Sequence, residues 1–161
     1  MDVDIDRFAL ILAERLAAIV PAGFSVTARD GMLWYSAGPG MFPGQRGDYR
    51  VGSAGTYVRA NFGVHGETAE EQLAGLAAQA LDELQDYVDE ATHEPWPGTR
   101  AQPQARAGIR GQALHLWYGG PELETDTVLA CEPIPLAELS RTPSLFLVRK
   151  RRRGYADCWR A

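Results

Sequence analysis

The chain has 161 residues, is 45 % hydrophobic, and carries a formal net charge of -5 at pH 7. That length fits a single domain with a real core, since domains commonly run roughly 100–200 residues, and the ordinary apolar fraction excludes a disordered body. No apolar stretch approaches the roughly 18 residues of a membrane span, the acidic start lacks the basic region of a secretory leader, and two cysteines, Cys131 and Cys158, make no disulfide framework.

The first element expected is a helix over residues 4–20. Ile5, Phe8, Leu12, Leu16 and Ile19 recur at spacings of three and four, one face of a 3.6-residue period. Asp4 or Asp2 can cap its start, and Pro21 and Gly23 stop it. Leu10 and Ile11 lie off that face, so the helix is expected to bury a second side. Phe24 to Arg29 alternates apolar and polar, which predicts a strand. Asp30-Gly31 then predicts a two-residue hairpin, because a type I′ turn needs positive φ at both positions. Met32 to Ser36 is the return strand. Ala37 to Gly55 is rich in glycine and proline and reads as a long loop. Thr56 to Phe62 alternates again and reads as a third strand.

Thr68 and Glu71 have the spacing of a capping box and open a second helix. Leu73, Leu76, Ala77, Ala80, Leu84, Tyr87, Val88 and Ala91 share one face of it, and Pro95-Trp96-Pro97-Gly98 ends it. Residues 99–105 are a polar linker. Arg106 to Tyr118 reads as one strand with a bulge at Gly111, where the alternation changes phase. Thr127 to Cys131 is the last strand, ended by Pro133 and Pro135, and Leu136 to Leu139 fits a helical turn. The fold class expected is therefore α+β, in the order α-β-β-β-α-β-β, with two helices packed on a mainly antiparallel sheet of about five strands. Residues 1–140 form this domain, and 141–161 form a basic C-terminal tail.

Charge is unevenly spread. Residues 141–161 hold seven bases and one acid, a sum of +6, which leaves nine bases and 20 acids, or -11, for residues 1–140. Residues 60–99 contain no lysine or arginine and nine acids: Glu67, Glu70, Glu71, Asp82, Glu83, Asp86, Asp89, Glu90 and Glu94. At about 100° per residue, Asp82, Glu83, Asp86, Asp89 and Glu90 fall in an arc of roughly 120° opposite the apolar face. Acids late in a helix oppose its macrodipole, and no base at i±4 offsets them. Local stability does not explain their presence. They are read as a docking face for a partner with a basic surface, joined by Trp96 if that side chain is exposed. The bland reading is a solvated face that confers solubility.

Three other features bear on function. The run Arg149, Lys150, Arg151, Arg152 and Arg153 can neutralise phosphates, but the acidic body would repel a polyanion, so a nucleic-acid role is disfavoured. The loop at 37–55 could close over a ligand, with Met41, Phe42 and Tyr49 beside the aromatic strand residues Trp34 and Trp117. Its glycines match no phosphate-binding motif, and no nucleophile elbow is present. His65, His93 and His115 are isolated, and neither cysteine has a C-x-x-C partner, so no metal and no cofactor is expected. Cys131 reads as an inert core thiol. The tripeptide Leu-Trp-Tyr occurs at residues 33–35 and again at 116–118, and both copies read as aromatic strand ends at turns.

The element order is similar to that of small dimeric secretion-chaperone-like domains. The resemblance covers the body at the level of topology and carries no motif; it favours a binding protein over an enzyme. Heavy arginine and alanine usage points to a GC-rich bacterial genome. The expected function is a non-enzymatic protein-interaction domain of the cytoplasm, chaperone-like, adaptor or toxin-neutralising, using the acidic helix or a sheet face. A twofold homodimer fits the commonest oligomer symmetry. The alternatives are a small-molecule binder or enzyme with its site under the 37–55 loop, and a nucleic-acid accessory protein acting through the tail.

Overall fold

The computed structural model describes residues 3–38, 50–52, 68–98 and 102–140, with backbone alone for 50–52. The elements in chain order are α1 (Ile5–Ala17), β1 (Phe24–Arg29), β2 (Met32–Ala37), β3 (Arg50–Gly52), α2 (Ala69–Thr92), β4 (Ala105–Arg110), β5 (Ala113–Gly119), β6 (Thr127–Ala130), β7 (Ile134–Pro135) and α3 (Leu136–Leu139). The fold is α+β, with two antiparallel sheets. One has the order β1-β2-β3; the other has the order β4-β5-β6, with β7 also pairing β5.

Asp4 caps α1, its carboxylate accepting from Arg7 N at 3.1 Å, a bond of the kind that stabilises a helix start by about 1 kcal/mol. Phe8, Leu12 and Leu16 are fully buried, and each contributes roughly 1.5–3 kcal/mol through removal of apolar surface from water. The second buried side of α1 is half realised: Ile11 is buried, but Leu10 is 54 % exposed. Helix α1 packs on β1, and α2 packs on β4, β5 and β2. The capping box forms as expected, with Thr68 Oγ1 accepting from Glu71 N and Glu71 Oε2 accepting from Thr68 N. The whole apolar face of α2 named from periodicity is buried, together with Leu81 and Gln85. The ends of the described body meet: Val3 bridges Ser140, and Asp4 N donates to Leu139 O at 3.0 Å.

The first hairpin turns at Asp30 and Gly31, with φ of 56° and 73°, the two positive values that the type I′ turn requires. Four expectations need correction. The strands form two antiparallel sheets rather than one sheet of about five strands. Residues 106–118 form two strands rather than one bulged strand. Arg110 pairs with Ala113 across a tight turn at Gly111 and Gln112, and Gly111 has φ of 62°. The change of phase marks a reversal of direction, which a missing proline and a single glycine disguise. The segment 37–55 is not irregular throughout, because Arg50–Gly52 pairs with Trp34–Ser36. The pair Ile134–Pro135 is a short strand on β5, although Pro133 precedes it and Pro135 belongs to it. At this edge position a proline needs to donate no ladder bond. The strand expected at 56–62, the loop residues Met41, Phe42 and Tyr49, and the tail with Arg149, Lys150, Arg151, Arg152 and Arg153 lie outside the described residues.

The repeated tripeptide plays one part twice. Leu33 and Tyr35 on β2, and Leu116 and Tyr118 on β5, all enter the core, while each tryptophan sits on the opposite strand face. The Tyr35 hydroxyl donates to Ala80 O at 3.0 Å, and the Tyr118 hydroxyl donates to Leu81 O at 2.6 Å. Neighbouring carbonyls of α2 thus anchor the two sheets to the same turn of helix. Burial pushes both phenols above their ordinary range, so they stay protonated donors.

Candidate functional site

The five helix acids divide according to their place in the arc. Glu83 and Asp89 lie at its two edges, where the helix surface turns toward the body, and both are half-buried. Glu83 accepts from Gln79 Nε2 at 2.9 Å. Asp89 ties down the chain beyond the helix. One of its carboxylate oxygens accepts from Trp96 N at 2.7 Å, and the other accepts from Gln102 Nε2. Asp82, Asp86 and Glu90 occupy the middle of the arc and are exposed. Their spacing of four residues sets them in a line along about two turns of α2, some 12 Å of helix axis.

Among the described residues, nothing neutralises that line. The ion pairs there are Arg15–Glu132, Arg29–Asp30 and Arg110–Glu124, and none involves α2. Asp86 is held above the usual carboxylate range by partial desolvation and then by Asp82 and Asp89. The central acid of the stripe therefore sits in a field of its own sign, which an approaching cation would relieve.

Trp96 staples the end of α2 to the body. Its ring meets Tyr118 edge-on, with centroids 5.2 Å apart and planes at 72°. Its carbonyl accepts from Gln85 Nε2 at 2.8 Å, and the same amide donates to Pro103 O at 3.1 Å. The Trp96–Pro97 peptide is cis. Gln85 is only 4 % exposed, a buried polar group whose donors are both used, as burial demands. Periodicity places residue 85 beside Leu81, Leu84 and Val88, so its burial was readable; its partners across the turn were not.

The aromatic pair expected to line a ligand pocket is divided between the two sheets. Trp117 is buried; its Nε1 donates to Gly120 O at 3.0 Å and Arg110 lies over its ring at 5.7 Å. Trp34 lines a cleft on the other hairpin together with Thr27, Arg29, Tyr35 and Ser36, and Trp117 takes no part in it. The polar positions of the β1 alternation were the available signal for Thr27 and Arg29. Cys131 is buried, and burial pushes its thiol up to about 12, so it has no nucleophilic character at neutral pH. Among the described residues, no group of three or more His, Cys, Asp or Glu side chains is placed to hold a metal ion, and no helix is long and apolar enough to cross a membrane.

Compared with known proteins, the chain matches no family model, no curated protein and no solved structure.

Proposed function

We propose that this chain is a protein-interaction domain, without catalytic activity of its own, that docks a partner with a basic surface along Asp82, Asp86 and Glu90. The observation that carries this reading is a line of three exposed carboxylates that nothing among the described residues neutralises, on a helix whose other face is fully committed to the core. A rigid helix presents the charges at fixed spacing, which favours recognition of a basic helix or strand over diffuse counterion binding. Glu83 and Asp89 flank the line and add to its field while holding local hydrogen bonds. A chaperone-like, adaptor or toxin-neutralising role follows from the same surface, because each requires a partner held without chemistry.

The test is capture from a lysate of the source cells by the full chain and by residues 1–140, at low and high salt. Docking through the stripe requires one protein retained by both chains and released by salt, since exposed charge pairs are screened beyond a Debye length of about 10 Å at 0.1 M. Nucleic acid retained by the full chain alone would instead place the function in residues 141–161.

A further inference from the structure

The outer face of the β1–β2 hairpin carries a cleft of about 320 Å³ lined by Thr27, Arg29, Trp34, Tyr35 and Ser36, near the lower end of the roughly 300–1,000 Å³ range of small-ligand sites. Strand alternation explains its chemistry. Val26, Leu33 and Tyr35 turn their side chains to the core, so Tyr35 offers backbone to the cleft, while Thr27 and Arg29 stand across from Trp34 and Met32 on the opposite face.

Among the described lining side chains, hydrogen-bond donors outnumber acceptors. Trp34 Nε1 is buried and has no partner among the described residues, a condition uncommon enough in folded proteins to need a cause. The Arg29 guanidinium lies over the Trp34 ring at 5.7 Å. Its ion pair with Asp30, at 3.5 Å, is between largely exposed groups and is weak for that reason. The Ser36 hydroxyl is already bonded to Ser25 Oγ. No carboxylate is among the described lining residues. An indole wall beside a cation calls for a flat apolar body with an anionic group.

We propose that this cleft binds a small planar organic carboxylate. Its oxygens accept from the Arg29 guanidinium, and its ring lies against the face of the indole. A carboxylate matches the fork of a guanidinium in shape as well as charge. The site shares no residue with the acidic stripe of α2, so either can fail without the other.

The experiment is a titration of the ¹⁵N-labelled full chain with benzoate, followed through the tryptophan indole N–H resonances, with the Trp34 signal assigned by its loss in Trp34→Phe. Benzamide and inorganic phosphate are the control ligands. The expected result is a saturable shift of the Trp34 indole signal with benzoate, little change in Trp117, and affinity reduced roughly tenfold or more in Arg29→Gln. Arg29 is exposed, so that variant keeps the fold, which its remaining resonances verify. A shift that never saturates, equal binding of benzamide or phosphate, or equal binding by Arg29→Gln would each overturn the proposal.

Discussion

Replacing Asp86 with Asn should make the protein more stable, although it deletes a charge and touches no core residue. Asp86 has Asp82 four residues before it and Glu90 four residues after it, with Glu83 and Asp89 at three. Like charges at this spacing destabilise a helix by about 0.2–0.5 kcal/mol per i,i+4 pair, so the two such pairs give roughly 0.4–1 kcal/mol. The macrodipole adds little, because residue 86 lies more than one turn from the helix end at Thr92. The direction of the Asp86 shift agrees. Desolvation and neighbouring acids raise its pKa, so the folded state binds the proton more tightly than the unfolded chain does. Its contribution opposes folding above the folded pKa, and this penalty fades as pH falls through that value. Urea titration of native and variant chains at low salt should show a higher midpoint for Asp86→Asn with an unchanged slope. In about 1 M salt, where the Debye length is roughly 3 Å, the gain should largely vanish. A loss of stability would show that the carboxylate is held by a favourable contact, and a gain that high salt leaves intact would show that desolvation rather than self-repulsion sets the penalty.

The rest of the fold offers sharper perturbations. At Gly119, with φ of 149°, an added Cβ would collide with the backbone oxygen of Asp126, and Gly120 N bonds that same oxygen at 3.0 Å; Gly119→Ala should cost roughly 3 kcal/mol or more in a denaturant titration, and a change under about 0.5 kcal/mol would contradict the turn geometry. Tyr118→Phe removes a buried hydroxyl bonded to Leu81 O and should cost about 1 kcal/mol, with no change in secondary structure by circular dichroism. Cys131, with its thiol pushed up to about 12, should resist a thiol reagent at pH 8 in the folded Cys158→Ser variant and react fully in denaturant; rapid labelling of the folded variant would show that the segment just after β6 opens.

Much of this architecture was legible because it rests on local rules. The α2 face follows from a 3.6-residue period, the Thr68–Glu71 box from a four-residue pattern, and the first hairpin from Asp30-Gly31. What escaped depends on contacts between distant residues. The turn at Gly111 and Gln112 lacks a strong dipeptide signal, so the local pattern there fits a bulge equally well. The strand Arg50–Gly52 is defined by its pairing with β2 rather than by its own three residues. The candidate site divides in the same way. Helical geometry placed all five acids on one arc, but only the fold shows that Asp89 holds the Trp96 turn and that Asp82, Asp86 and Glu90 are left to solvent. Likewise, the two Leu-Trp-Tyr copies look unrelated in their flanks, and their equivalence emerges only when both tyrosines reach adjacent carbonyls of α2.

Capture by a stripe-reversed chain tests the central claim most directly. The full chain carrying Asp82→Lys, Asp86→Lys and Glu90→Lys leaves Asp89 and its hydrogen bonds untouched, and its folding can be checked by circular dichroism and denaturant titration. With exposed ion pairs worth roughly 0.2–1 kcal/mol each, loss of three attractions and their replacement by repulsion of similar size should weaken partner binding by about tenfold or more. The partner that the native chain retains at low salt should be absent from the reversed chain at every salt concentration. Retention of the same partner by both chains, with the same salt response, would contradict docking through α2.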